Sequence, residues 1–242
     1  KSELDGSRMI IEDDGSIPDL DFKVFVEGLS AGLYDDTMLN ILFEDRDILV
    51  VDKINGLLTI GTEKERENTA HFLLNEYVKR GNERSRNRVF IVHRLDRDTS
   101  GILVFAKSEN AKEFLQDNWQ DFDKKYYTVV YGTLPQKEGE ISSYLYENKA
   151  FRVTSVNDTN LGKYAKTGYK VLKESEKYSL LEVKLFTGRK HQIRVHFAEN
   201  GHPILGDKIY GKVDKEIKRF VLHSGYLSII HPYTKKEMVF ET

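Results

Sequence analysis

Two short apolar segments, separated by a nine-residue polar segment, constrain this chain most. Residues 89–92 (VFIV) and 102–106 (ILVFA) are rich in β-branched and aromatic side chains, and such runs are typical of buried strands. The segment between them, residues 93–101, reads HRLDRDTSG. We therefore predict two adjacent strands joined by a loop that presents Asp96 at the end of a sheet. Catalytic groups are common on loops held by rigid strands, but a charged turn in water has the same pattern.

Composition limits the class of protein. The chain has 242 residues, of which 39% are hydrophobic and 11% aromatic, which suits one large domain with or without a small appendage. It contains no cysteine, so disulfides, thiol catalysis and thiolate metal sites are excluded. No apolar run approaches the roughly 18 residues of a membrane span, and we expect a soluble cytoplasmic protein.

The distribution of charge is more informative than its sum. The formal net charge of −2 does not indicate a nucleic-acid-binding protein, but the first third is acidic and the basic residues are concentrated in two later stretches. If these stretches meet in the fold, they form a positive groove; otherwise each is a solvated surface. The two stretches comprise Lys79, Arg80, Arg84, Arg86, Arg88, Arg94 and Arg97, and then Arg189, Lys190 and Arg194.

The remaining patterns indicate many strands and few helices. Residues 41–53 are predicted to form a strand, a turn and a strand, with Asn55-Gly56 as a further tight turn. Helices are predicted over residues 68–80, with Thr69 as the cap, and over residues 110–121. Further strands are predicted over 124–132 and 178–186, with an antiparallel meander between them. Residues 1–38 are interpreted as a partly ordered acidic appendage with a strand-like patch at 22–26, and residues 39–242 as the main domain.

Five segments together resemble one known family. HRLDRDTSG closely resembles HRLDxxTSG, the signature of the RluA-type pseudouridine synthases. KKYYTVVYG (residues 124–132) is similar to the family's KxYxAxVxG, TGRKHQIRVH (187–196) to its TGRxHQIRxH, and GHPILGDKIYG (201–211) to its GhPivGDxxYG. KING (53–56) departs from the family's Lys-Pro-x-Gly by lacking the proline, which concerns the rigidity of this loop rather than the chemistry. The resemblance extends over about residues 41–240.

The resemblance implies a fold and an activity. The fold is the α+β pseudouridine-synthase fold, a mixed, mainly antiparallel central sheet with flanking helices and a central catalytic cleft. The activity is the isomerisation of specific uridines in structured RNA, without a cofactor. Asp96 corresponds to the family's catalytic residue, Arg194 to the arginine that keeps this carboxylate ionised, and Tyr126 to the active-site tyrosine.

Further roles are carried over onto matching positions. Leu222 is a candidate for the floor of the uracil pocket. Thr187 is predicted to cap a helix whose N-terminus favours an anion, and no metal is expected, because His191 and His196 do not share a helical face. The substrate is expected to be large-subunit ribosomal RNA, with transfer RNA as the alternative, and the protein a monomer. Candidate RNA-binding residues are Arg94, Lys53, Arg97, Arg189, Lys190, His191 and Gln192.

Two other functions are compatible with parts of the sequence. A non-catalytic RNA-binding module on the same fold would have lost Asp96 or Tyr126, and both are present. A hydrolase could use Asp96, His93 or Ser100, but Ser100 lacks the G-x-S-x-G pattern, and the nearby Asp98 lies in the same loop rather than opposite. A nucleotide-binding enzyme is disfavoured, because neither a P-loop nor G-x-G-x-x-G occurs.

Overall fold

The computed structural model describes residues 39–211, 217 and 219–242, so the predicted appendage and its strand at 22–26 lie outside the described residues. Strands outnumber helices in this part, and most strand pairs are antiparallel, as the predicted α+β class requires. In chain order the elements are β1 (Leu39–Glu44), β2 (Ile48–Lys53), α1 (Ala70–Lys79), β3 (Phe90–Ile91), β4 (Ser100–Ala106), α2 (Glu109–Asp117), β5 (Asp123–Tyr131), β6 (Glu138–Glu147), β7 (Val153–Val156), β8 (Lys163–Glu174), β9 (Tyr178–Leu185), α3 (Gln192–Glu199), β10 (Leu222–Ile230) and β11 (Glu237–Glu241).

The described chain divides into two compact units. The terminal unit consists of residues 39–124 together with His223–Thr242, and the middle unit consists of Lys125–Leu222. The sequence predicted a single domain over residues 39–242, and this stays a prediction.

In the terminal unit the strands are ordered β1-β2-β4-β10, with β3 also paired to β4 and β11 to β10. β2 runs antiparallel to β4, and β4 runs parallel to β10, so the sheet is mixed. Gly101 has a φ of +110°, and a Cβ atom there would lie 2.3 Å from the carbonyl oxygen of Ser224. Only glycine therefore lets β4 start against β10, which explains the last residue of the HRLDRDTSG segment.

The core of the terminal unit is built on both faces of β4. All seven residues of this strand are buried, which explains its continuous apolar sequence. Ile102 and Val104 belong to a cluster that includes Ala111 and Leu115 of α2. On the other face, the ring of Phe105 stacks on His71 of α1 at a centroid distance of 6.4 Å. The strand that leads out of the HRLDRDTSG segment is thus held rigidly.

Both predicted helices of the terminal unit exist, with one boundary corrected. Thr69 caps α1 and accepts a hydrogen bond from the backbone N–H of Phe72 at 3.2 Å, as predicted. The predicted helix over residues 110–121 ends earlier, at Asp117. The chain leaves the helix there, and the indole ring of Trp119 stacks on the imidazole of His93 at 4.1 Å. Tertiary packing thus overrides the helical spacing.

The middle unit is an antiparallel sheet in the order β5-β9-β8-β6-β7, so the predicted antiparallel pairing is confirmed. The strand order is not that of a meander, because β8 pairs with β6 and not with β7, which precedes it in the chain. Helix α3 covers one face through Ile193 and Phe197, which belong to a cluster with Val130 and Val183. The prediction that Thr187 caps this helix is wrong. The helix begins at Gln192 after His191, which has a φ of 53° and makes no side-chain cap. Thr187 instead accepts from the backbone N–H of Lys166 at 2.9 Å.

Candidate active site

The loop between β3 and β4 carries Asp96 half-buried at the end of the buried strand β4. Beside it, Leu95 is buried, and both of its backbone groups bond to the hydroxyl of Thr59, at 3.1 Å and 2.8 Å. The backbone N–H of Thr99 donates to the carbonyl of Asp96 at 3.2 Å, which closes the turn. Asp96 is therefore presented by a backbone fixed on both sides. We refer to residues 93–99 as the Asp96 loop.

Lys53, the last residue of β2, lies fully buried beneath the Asp96 loop. Its ammonium group donates to the carbonyls of Ile54 at 3.0 Å, Leu57 at 2.8 Å and Arg97 at 3.1 Å. These acceptors match the three protons of an ammonium group. Burial lowers the pKa of Lys53 to about 7, although the carboxylates of three nearby residues act in the opposite direction: Asp98, Asp96 and Asp52.

This placement argues against the predicted contact between Lys53 and RNA, because a fully buried ammonium bonded to the protein backbone does not reach a phosphate. Lys53 instead ties the end of β2 to the Asp96 loop. Asn55 and Gly56 reinforce this link, since the Asn55 amide donates to the carbonyl of Asp98 and the Gly56 N–H donates to that of Arg97 at 2.9 Å. Gly56 has a φ of +87°, so the predicted tight turn forms without the family's proline.

We expect Lys53→Met to slow turnover without weakening RNA binding, because the buried side chain positions the loop and does not bind phosphate. The loss should be about 10- to 100-fold, the scale associated with a small misplacement of a catalytic group. Lys107→Met is a matched control, since the Lys107 ammonium also binds a backbone carbonyl of this unit, that of Asp45, at 2.5 Å. Single-turnover kinetics and filter binding over a salt series check this. If Lys53→Met instead lowers the slope of log K against log salt, Lys53 contacts a phosphate as the sequence predicted.

His93 has a structural place that the sequence did not reveal. Its Nε2 accepts a hydrogen bond from the backbone N–H of Val104 at 3.1 Å, so the proton lies on Nδ1. Burial lowers the pKa of His93 to about 3, and the positive charge of Lys124 acts in the same direction. With Trp119 stacked on its ring, His93 is a neutral anchor between the loop and β4. This role argues against His93 as the general base of a hydrolase.

Ser100 and His223 form the one pair near the loop, within the described residues, that resembles a hydrolase dyad. The Ser100 hydroxyl and His223 Nδ1 are 2.9 Å apart, and His223 Nε2 lies 2.9 Å from the hydroxyl of Thr242. The third member is thus a hydroxyl rather than a carboxylate. Ser100 is only 5% exposed at the start of β4, which leaves a substrate no access. The geometry favours a structural link between β4, β10 and the last described residue.

In the middle unit Arg194 is buried in α3 and forms a bidentate ion pair with Asp207. The guanidinium donates through Nε to Oδ2 and through Nη2 to Oδ1 of Asp207, both at 2.8 Å. Its planar group also lies over the rings of Phe220 at 4.9 Å and Tyr210 at 5.2 Å. Burial acts to raise the pKa of Asp207, but the bonds and charge of Arg194 outweigh it and the pKa lies below its ordinary value. Asp207 was not predicted as a partner of Arg194, which was expected to keep the Asp96 carboxylate ionised.

Tyr126 and Leu222 belong to the same side of the middle unit. Leu222 is buried at the start of β10, in a cluster with Phe220 and Ile193, and Tyr126 packs against this cluster. Since adjacent residues of a strand face opposite sides, Tyr126 and the buried Tyr127 point in opposite directions. An aromatic ring, a buried leucine and a buried arginine of one unit therefore gather around a single apolar cluster.

Four predicted RNA-binding residues lie in the loop before α3 or at its first position, and two of them remain on the surface. Arg189 is exposed and donates to the carbonyl of Tyr164 at 3.0 Å, while Lys190 forms an ion pair with Glu147. His191 Nδ1 lies 2.8 Å from the hydroxyl of Tyr210.

Gln192 is buried, and its amide donates to the Lys166 carbonyl and the Thr167 hydroxyl, both at 2.9 Å. Its carbonyl oxygen accepts from the Arg189 N–H at 3.0 Å. Gln192 thus shapes this loop, and its burial argues against the predicted contact with RNA.

The predicted site residues fall into two groups. The terminal unit brings together Asp96, Arg94, Arg97 and Lys53, of which Arg94 and Arg97 are exposed and Arg97 pairs with Glu65. The middle unit brings together Arg194, Tyr126 and Leu222, and separately the loop of Arg189, Lys190, His191 and Gln192.

One group of side chains within the described residues resembles a metal site in composition: Asp45, Asp47 and His231. His231 Nδ1 accepts from the backbone N–H groups of Tyr233 and Thr234, at 3.2 Å and 3.0 Å, so its Nε2 carries the proton and donates to Asp45 at 2.8 Å. Neither nitrogen has a lone pair left for a metal.

Among the described residues, no helix is long and apolar enough to span a membrane.

Known proteins resemble this chain in sequence and in fold. The family model for RNA pseudouridylate synthases matches residues 47–199. An RNA pseudouridine synthase of Mycoplasma pneumoniae is 38% identical over 212 residues, which cover 85% of this chain and 67% of that protein. The ribosomal large subunit pseudouridine synthase D of Borreliella burgdorferi is 37% identical over 196 residues, which cover 78% of this chain and 60% of that protein.

A solved structure supports the fold. Human RNA pseudouridylate synthase domain containing 4 superposes with a TM-score of 0.70 at 22% identity, covering 92% of this chain and 93% of that one. The matched model spans most of the chain, from β2 to α3, and includes the Asp96 loop. This chain belongs to the RNA pseudouridylate synthase family. Its class is that of isomerases that modify RNA.

Proposed function

We propose that this chain converts uridine to pseudouridine in large-subunit ribosomal RNA, with Asp96 as the catalytic carboxylate. The observation that carries the proposal is the placement of Asp96, half-buried on a loop fixed by Thr59, Lys53 and β4. The reaction breaks the N1–C1′ bond, rotates the detached uracil and joins C5 to C1′; C5 then loses its proton to solvent and N1 takes one up, so that the product is an isomer of uridine. A carboxylate near C1′ and C6 serves this chemistry as nucleophile or base, and the protein needs no cofactor for it.

The other residues of the site are assigned to holding the RNA and the base. A uridine within a helix must leave the stack to meet Asp96, at a cost of a few kcal/mol. Arg94 is exposed next to Asp96 and forms no ion pair with another described residue, so it is suited to a phosphate or to the vacated stack. We assign Arg97 and Arg189 to the RNA backbone, Leu222 to the uracil pocket, and Arg194 and Tyr126 to catalysis.

Tyr126→Phe should still bind RNA with an affinity within about twofold but turn over about 10²- to 10⁴-fold more slowly, because it keeps the stacking ring and loses the hydroxyl that exchanges a proton. Tyr127→Phe, the same change on the opposite face of β5, is the control. Single-turnover rates and equilibrium binding separate the two effects. If Tyr126→Phe reacts as fast as wild type, the hydroxyl has no part in the reaction.

The choice of ribosomal RNA rests on relatives whose names specify the large ribosomal subunit, among them those of Borreliella burgdorferi and Zymomonas mobilis. The test is release of tritium from RNA labelled at uridine C5, with large-subunit ribosomal RNA and transfer RNA transcripts offered separately. Release from ribosomal RNA alone supports the proposal. Release from transfer RNA alone would make transfer RNA the substrate. Release from neither transcript would contradict the proposed activity on free RNA. The monomeric state stays a prediction.

A further inference from the structure

A second basic surface lies in the terminal unit, on the loop between α1 and β3. The side chains of this loop and of the end of α1 line a shallow, open depression of about 420 Å³. Every residue that lines it carries a cation or a neutral hydrogen-bonding group, and no carboxylate lines it. We call it the arginine hollow, and its lining residues are Lys79, Ser85, Arg86, Asn87 and Arg88.

Two of the three cations of the hollow have no carboxylate partner among the described residues. Lys79 pairs with Glu76 at 2.7 Å, but Arg86 and Arg88 are exposed and neither forms an ion pair with a carboxylate among the described residues. The Arg88 guanidinium lies over the ring of Phe90 at 4.8 Å, which fixes its position and leaves N–H groups for a ligand. Two unpaired guanidinium groups in one concavity attract an oxyanion, and a guanidinium binds phosphate in bidentate fashion.

The backbone of the loop is held in place, so the cations are arranged before any ligand binds. The N–H of Val89 donates to the side-chain oxygen of Asn75 in α1 at 3.0 Å. The N–H of Ser85 donates to the carbonyl of Asn82 at 2.9 Å, and the N–H of Asn87 to the Ser85 hydroxyl oxygen at 3.2 Å. The proton of the Ser85 hydroxyl remains available to an anion. A preorganised site loses less conformational entropy on binding than a flexible charged loop.

The register of β3 on β4 sets the distance from this hollow to the Asp96 loop. Phe90 pairs with Ala106, at the far end of β4 from Gly101, which follows the loop. Gly101 and Ala106 are five residue steps apart along the strand, or about 17 Å at about 3.4 Å per residue. A phosphate in the hollow therefore cannot belong to the uridine at Asp96. It belongs to a nucleotide several positions away along the RNA.

We infer that the arginine hollow binds the sugar–phosphate backbone of the RNA that flanks the target uridine, as a second contact independent of base sequence. The inference rests on the proposed function for the identity of the RNA, whereas the binding surface rests on the hollow itself. An acidic protein segment is the competing ligand, which the test separates by using RNA alone.

The test compares the variant R86Q/R88Q with R46Q/K177Q, a control that removes the same charge from two exposed positions elsewhere. RNA binding is measured over a salt series with a long transcript and with a short stem-loop that ends within two nucleotides of the uridine. We expect R86Q/R88Q to bind the long RNA roughly tenfold more weakly at low salt and to lower the slope of log K against log salt by about 1.4, for two lost contacts. The control should match wild type.

Kinetics give the second readout. R86Q/R88Q should raise the half-saturating concentration of the long RNA roughly in line with its weaker binding, with a rate at saturation within about twofold of wild type. On the short stem-loop the variant and wild type should bind alike. Equal binding of the long RNA by both double variants, or an equal loss on the short RNA, overturns the inference. Absence of turnover by wild type contradicts the proposed function alone, because the binding comparison stands without it.

Discussion

Asp96→Asn is expected to abolish turnover while RNA binding is retained. The amide keeps the shape and the hydrogen-bonding reach of the side chain but is neither a nucleophile nor a base, so the rate should fall at least about a thousandfold. The loop itself should survive, since Lys53 and Thr59 both bond to its backbone and neither side chain is changed. The measurement is tritium release from uridine-labelled RNA under single-turnover conditions, with the dissociation constant measured in parallel.

Asp98→Asn provides the matched control for this prediction. Asp98 lies two residues from Asp96 and is also half-buried. Its negative charge acts on Lys53 more strongly than that of Asp96. If the charge around Lys53 were the important quantity, Asp98→Asn would be the more damaging variant. We expect it to keep a rate within about tenfold of wild type, because a surrounding charge affects the rate less than the reacting group does. Full activity of Asp96→Asn would mean that another group reacts.

Arg194→Met is expected to destabilise the middle unit as well as abolish activity. Methionine fills the space over Phe220 and Tyr210 but leaves the Asp207 carboxylate buried without its cation. Breaking a buried pair on one side costs about 3–5 kcal/mol. For a chain of this length, the melting temperature should fall on the order of 10 °C. The measurements are thermal unfolding, and turnover at a temperature where each variant is folded.

A double-mutant cycle separates stability from catalysis. Asn at position 207 can still accept from the N–H groups of Ile209 and Tyr210, as Asp207 Oδ1 does at 2.9 Å and 3.0 Å. R194M/D207N should therefore be more stable than the sum of the single variants predicts, with a coupling energy of about 2 kcal/mol. It should remain inactive if Arg194 takes part in the reaction. Recovery of activity together with stability would reduce Arg194 to a structural residue.

The same pair predicts how stability depends on pH. The folded-state pKa of Asp207 lies below its ordinary value, despite burial that acts to raise it, because Arg194 and two backbone N–H groups favour the charged form. A depressed carboxylate pKa contributes stability that is present above the unfolded pKa, near 3.9, and is lost as the pH falls through the folded pKa. Wild type should thus lose more stability than D207N between about pH 4 and pH 2.

Much of the fold could be predicted from local sequence, and the class of reaction from the resemblance of its motifs to a known family. The two apolar segments around HRLDRDTSG formed the antiparallel pair β3 and β4, and the polar segment became the loop that carries Asp96. The Thr69 cap, the Asn55-Gly56 turn and the antiparallel strands of the middle unit also followed from neighbouring residues, whereas the order of those strands did not. Capping, turn chemistry and strand periodicity act over a few residues, so a single sequence contains the relevant information.

Only the tertiary structure decided what the charged and polar side chains do. Lys53 carries a positive charge and was predicted to bind RNA. In the fold it is buried, and its ammonium group donates to a backbone carbonyl 44 positions away. Arg194 forms an ion pair with Asp207, and the imidazole of His93 accepts a hydrogen bond from the backbone N–H of Val104. The arginine hollow depends on a hydrogen bond from Val89 to Asn75, which holds the loop between α1 and β3 against α1. Burial and partners at a distance set the free energy of a charge, and neither is a property of neighbouring residues. The sequence by itself determined the class of reaction that this chain carries, and the packing of distant segments decided which charged side chains are buried and which stay exposed.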